Sequence, residues 1–119
     1  MNMQNETEYN QAAVVLETAL NRKAGKFTVQ LRNVGNPDYR QDCTRPLPET
    51  TCGWAAVDTL KEAVQLCRMY ISFYDLGGGN WSGGLIHRIE DGVIIGKVAY
   101  NGRIFAGAKW FPGVKEIIP

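Results

Sequence analysis

The strongest constraint on this chain is a pair of turn dipeptides in its C-terminal half. Asp91-Gly92 and Asn101-Gly102 are the residue pairs that two-residue β-hairpin turns favour. Ile, Val and Phe flank them, and the spacing predicts an antiparallel meander with strands over 84–90, 93–100 and 103–111. Residues directly opposite in a ladder share a face, so two-residue turns also fix a register. Ile89 is then expected opposite Ile94, Leu85 opposite Val98, Val98 opposite Phe105, and Gly83 opposite Tyr100. A core face of Leu85, Ile89, Ile94, Val98 and Phe105 follows, with Tyr100 at its rim. His87 falls on that face, in a row with Gly96 and Gly107. Arg88, Glu90, Ile95, Lys97 and Ala99 fall on the wetter face.

Upstream, the pattern changes period. Residues 6–23 place Tyr9, Ala12, Ala13, Leu16 and Leu20 on one helical face, with Asn5 and Glu8 as a capping box and Gly25 as a stop. Residues 27–34, "FTVQLRNV", alternate as a half-exposed strand. Residues 35–53 hold three of the five prolines without periodicity and predict a long Pro-rich loop. A second helix is expected over 59–75, or from nearer Trp54, with Thr59 and Glu62 at its cap and Gly77 after its end. Its apolar stripe is wide enough to suit both a sheet and another subunit. The fold class is therefore α+β. It has two layers: an antiparallel sheet of three to five strands ending in a three-stranded meander, and two helices packed on one face. One domain over 1–119 is expected, with residues 1–5 as a disordered tail.

Charge and cysteine content narrow the function classes. With 13 basic and 12 acidic residues the net charge is +1, which lacks the basic excess of a duplex nucleic-acid binder. Nucleic acid is thus not the expected partner. No apolar run is long enough for a membrane span, the first residues do not read as a signal peptide, and a cytoplasmic location follows. Cys43, Cys52, Cys67 and His87 have irregular spacings unlike those of structural zinc sites. Neither a metal nor any other cofactor is expected, and no catalytic residue is assigned. No nucleophile–base set is marked, so binding is expected rather than catalysis.

The candidate ligand-binding residues are Trp81, Tyr100, Arg103, His87 and Arg88. Aromatic rings, Phe105 included, alternate here with guanidinium groups around glycine-rich turns. That combination suits stacking and charge-assisted contact with a small polar or phosphorylated, nucleotide-like molecule. Each residue also has a structural reading. Trp81 can plug the open end of the core, Arg103 can lie across Tyr100, and His87 can fill the space beside two glycines. For His87 a pocket-lining or catalytic-base role stands beside that first reading. The "GGGNWSGG" turn, residues 77–84, can offer backbone N–H groups to an anion, but it lacks the Gly-Lys-Ser/Thr ending of a P-loop. An alternative function is a protein-interaction module that inhibits a host machine, with Tyr39, Leu47 and Trp54 as anchors in or beside the 35–53 loop.

Asn80, Trp81, Gly83 and Gly84 form an NW-x-GG turn, and Tyr100, Asn101, Gly102, Arg103 and Phe105 form a YNGR-x-aromatic hairpin. In these two motifs the C-terminal half resembles short mobile-element proteins carried by integron cassettes, plasmids and phages. More remotely it is similar to anti-Thoeris sponge proteins, which sequester cyclic ADP-ribose-type signals. The resemblance implies an accessory protein that self-associates as a homo-oligomer and binds a small ligand.

Overall fold

A computed structural model describes residues 5–119. The expected tail lies outside the described residues except for Asn5, whose side chain accepts from Glu8 N at 2.8 Å and caps α1, Glu6–Asn21. The second cap also forms: Thr59 Oγ1 accepts from Glu62 N at 3.0 Å and starts α2, Leu60–Phe73. Both are local devices in which a side chain satisfies an orphan donor of the first turn.

The helices end differently from expectation. α1 stops at Asn21, and Gly25 serves a close approach, since a Cβ there would lie 2.7 Å from Val57 O. At the end of α2 the left-handed position belongs to Asp75, with φ of 51°, not to Gly77. Asp75 N bonds Ser72 O and Leu76 N bonds Ile71 O, the paired bonds of a Schellman motif, with Leu76 buried behind them.

The sheet has six antiparallel strands in the order β2-β1-β3-β4-β5-β6. β1 is Phe27–Leu31, β2 Gly53–Val57, β3 Leu85–Arg88, β4 Ile94–Val98, β5 Ile104–Ala106 and β6 Glu116–Ile117. β1 joins the meander by pairing with β3. β2 replaces the expected start of the second helix near Trp54; two alanines hid it, since alanine favours helix. The strand expected over 103–111 is cut short at Ala106, and the chain returns to the sheet as β6.

The meander forms with its register displaced by one residue. Ala99 N bonds Arg103 O at 2.8 Å, and these two enclose three residues, Tyr100-Asn101-Gly102, with Gly102 at φ 88°. This is the three-residue loop that ends in a left-handed glycine, not a two-residue turn. In the other hairpin Arg88 N bonds Val93 O at 2.9 Å around a four-residue loop, and the β3–β4 register shifts between Ile86 and His87. The resulting pairs are Ile86 with Gly96, Leu85 with Lys97, Lys97 with Phe105 and Val98 with Ile104. Gly84, not Leu85, lies opposite Val98. A one-residue displacement inverts a strand's faces. The core therefore takes Ile86, Val98 and Ile104, while Ile89 and Ile94 are exposed and Leu85 and Phe105 are half-buried on the other face.

Both helices pack on one side of the sheet. α2 rests on β1, β2 and β4, and α1 on β2 and α2. Val29, Leu31, Ala55, Val57, Ile86, Val98 and Ile104 meet Leu16, Ala63, Leu66, Cys67 and Tyr70 there. Among the described residues, no α-helix packs on the opposite side of the sheet. No helix among the described residues is long and apolar enough to cross a membrane.

The 35–53 loop is bound down by two asparagines. Asn33, fully buried, donates from Nδ2 to Tyr70 Oη at 2.8 Å and to Thr50 Oγ1 at 3.1 Å, and its Oδ1 accepts from Leu47 N at 2.8 Å. Tyr70 Oη donates onward to Thr51 O. Asn80 donates from Nδ2 to Val34 O and to Gln41 Oε1, both at 3.0 Å.

Candidate functional site

Two of the five sequence candidates come together. Trp81 follows the Asn80 clamp, bridges to Asn33, and donates from its indole N–H to Val98 O at 2.9 Å. The ring packs against the core, 6.0 Å between centroids from Tyr70, so the plug reading of Trp81 describes its inner side. Tyr100 sits in the three-residue loop. Its hydroxyl donates to Leu76 O at 2.9 Å, and its own carbonyl accepts from Arg68 at 2.8 Å. With both rings fixed, they line one cavity of about 280 Å³ together with Phe105, Trp110, Lys97 and Lys109.

The inverted register builds this cavity. Lys97, Ala99 and Phe105 reach it because they face away from the helices. Trp110 and Lys109 come over it from the segment between β5 and β6. Among the described residues neither Lys97 nor Lys109 has an ion-pair partner, so two ammonium groups and four aromatic rings border the same space. From sequence alone Lys97 is expected on the wetter face and Trp110 inside the 103–111 strand. The signal within reach was the exposed "KWF" run, Lys109 to Phe111, just past the meander.

The other three candidates lie elsewhere. His87 is half-buried on the side away from the helices, its ring 5.0 Å from that of Trp54 and tilted by 43°. It pairs with Thr28 and Ile94, not with Gly96, so the row with Gly96 and Gly107 does not exist. Arg88 is held by Asp91, with guanidinium–carboxylate bonds of 2.7–3.1 Å. These bonds, with the Val93 N–H, hold the Asp91 carboxyl below its ordinary range. Arg103 does not lie on Tyr100; it faces Glu116 across β5 and β6 at 3.7 Å.

The glycine-rich turn is mostly scaffold. Its N–H groups at Gly77, Asn80, Trp81, Ser82 and Gly84 are bonded within the chain, which leaves the adjacent pair at Gly78 and Gly79 without such a bond, and Gly78 borders the cavity. A Cβ on Gly83 would lie 2.6 Å from Gln30 O, and Gly84 takes a φ of 96° beside Val98, so both glycines serve close packing. The Pro-rich loop is likewise secured. Leu47 packs on the core, Trp54 belongs to β2 with its ring partly exposed, and Tyr39 is the most exposed of the three expected anchors, at 76%. Cys67 is buried, which raises its thiol pKa strongly; Cys43 and Cys52 are exposed and unbridged. Among the described residues no three His, Cys, Asp or Glu side chains group to hold a metal ion.

Comparison with known proteins returns no match: no family model fits the chain, and no curated protein or solved structure aligns with it.

Proposed function

We propose that this protein binds a small anionic aromatic molecule of nucleotide type, without converting it, in the cavity bordered by Trp81, Tyr100, Phe105 and Trp110. The observation that carries the reading is the meeting of those rings with the unpaired Lys97 and Lys109. A flat π-system stacks on aromatic faces, and a phosphate attracts ammonium groups that no carboxylate neutralises. The volume is near the lower end of small-ligand sites and suits one base with its phosphate. The chain then acts as a mobile-element accessory protein in the cytoplasm that sequesters a signal. Self-association belongs to the same proposal, with Val14, Val15 and Met69 bordering an uncovered groove between the helices. The loop-based interaction module has less support, because the loop is bound to the core through Asn33 and Asn80.

The test is a titration with mononucleotides and cyclic nucleotides, read by tryptophan fluorescence and by melting temperature. A true ligand at a hundredfold excess over Kd stabilises the fold by about 2.7 kcal/mol. The same titration on Trp110→Ala and Lys109→Gln is expected to show weakened binding with the parent's unliganded melting temperature retained. A parent that responds to no nucleotide at millimolar concentration overturns the proposal.

A further inference from the structure

The uncovered side of the sheet has an ordered content. Lys97 pairs with Leu85 and with Phe105, and Phe105 pairs with Glu116. On the other flank Trp54 pairs with Gln30, and continuing the β1–β3 ladder by one residue places Gln30 beside Leu85. One transverse row therefore runs Trp54, Gln30, Leu85, Lys97, Phe105, Glu116. Trp54 is 39% exposed and has the His87 ring beside it; Phe105 leads into the cavity under Trp110. Trp54 and Phe105 are four strand spacings apart, about 19 Å.

Charge on this side is segregated in a way that the net charge hides. Of the twelve acidic residues, Glu116 alone lies within a strand, and Arg103 faces it. Arg32 borders a hollow with Gln30 and Trp54 at one end, and Lys97 and Lys109 border the cavity at the other. Among the described residues Arg32 has no ion-pair partner either.

We propose that this face binds single-stranded nucleic acid across the strands, with one base on Trp54 and His87, another in the Phe105–Trp110 cavity, and the backbone between them on Arg32, Lys97 and Lys109. The inference rests on the nucleotide reading of that cavity and extends it to a polymer. Two stacking platforms, each with cations beside it, are what a single strand needs, because each base offers a π-face and each link a phosphate. A duplex cannot offer its bases in this way, so the balanced overall charge excludes only the duplex groove binder.

The experiment is fluorescence anisotropy with labelled oligothymidylates of two, four, eight and twelve nucleotides, beside a tryptophan-fluorescence titration with thymidine monophosphate. The proposal expects affinity to rise steeply between two and eight nucleotides. Trp54→Ala should weaken the octamer by about 5- to 150-fold, the usual effect of losing one stacked base. The same variant should leave the monophosphate response unchanged. Contact with three phosphates should cost about 20-fold in affinity between 50 and 200 mM salt. Arg32→Gln, at an exposed position, should weaken the octamer without changing the melting temperature, and Tyr39→Ala serves as the neutral control. A monophosphate that binds while the octamer gains nothing over the dimer overturns the polymer and leaves the cavity reading standing. Absence of both signals removes both. An octamer indifferent to Trp54→Ala and Arg32→Gln overturns the path across the sheet. So does a mass of twice the chain with Trp54 shielded from quencher, which would mean that a second copy covers the face.

Discussion

Replacing Asn33 by leucine removes the side chain that ties the Pro-rich loop to the core. Leucine keeps the branched outline of the side chain, with methyl groups bulkier than the amide atoms, so the change tests polarity together with a modest increase in size. Three hydrogen bonds to oxygen and nitrogen partners are lost, to Tyr70 Oη, Thr50 Oγ1 and from Leu47 N, together with a longer one to Cys52 Sγ. At about 1 kcal/mol net each, they represent roughly 3 kcal/mol. The Leu47 N–H is left without its acceptor, which adds about 1 kcal/mol or more where water does not reach it. The buried leucine returns about 1 kcal/mol of apolar transfer. Asn33→Leu should therefore destabilise by about 2–4 kcal/mol. With a urea m-value of about 2 kcal/mol/M, the midpoint should fall by about 1–2 M. Two further readouts separate the loop tie from general damage. Trypsin should cut after Arg40 faster in the variant, because loop opening no longer breaks the Leu47 bond. A double-mutant cycle with Tyr70→Phe should show coupling of about 0.5–3 kcal/mol. A loss below about 1 kcal/mol with unchanged cleavage would refute the account of Asn33 as the hub.

Other positions give sharper local tests. Gly102→Val and Gly92→Val should each cost about 1–2 kcal/mol, because both glycines hold positive φ. Gly102→Val should cost the more, since its Cβ meets Arg68 Cδ at 3.3 Å whereas that of Gly92 meets nothing within 4 Å; thermal melts of the pair read the order. NMR titration should find Asp91 ionising below the ordinary aspartate range, and Arg88→Ala should move it back up. Because that pKa is depressed by folding, its contribution is present above the unfolded-state value and lost as pH falls through the folded one. Thiol titration of the native protein should count Cys43 and Cys52, with Cys67 reacting only after unfolding.

Features decided within a few residues were legible in the sequence. Asn5 and Thr59 cap their helices as the sequence implies, since a cap needs only its own first turn. The fold class and the meander were legible from period and turn chemistry. The register was not. Asn101-Gly102 marks a reversal but does not say whether Tyr100 belongs to the strand or to the loop, and that single residue decides which side Phe105 faces. β2 was hidden because Ala55 and Ala56 owe their burial to partners distant in sequence rather than to their own propensity. In the site, Trp81 and Tyr100 were legible because the two turns that hold them are local. Lys97, Lys109 and Trp110 were not, because they depend on the register and on the excursion between β5 and β6.

The three-residue loop at Tyr100-Asn101-Gly102 also separates the length of the hairpin tip from the register of the strands it joins. Hairpin tips ordinarily tolerate a codon gained or lost. Here one codon removed from the tip would leave a two-residue connection closed by the same pair, Ala99 and Arg103, at the length the Asn-Gly dipeptide itself favours. Val98 would still lie opposite Ile104, and directly opposite residues share a face, so Ile104 would stay in the core and Phe105 on the open side. Homologous chains should therefore vary in the length of this tip without Ile104 and Phe105 trading character.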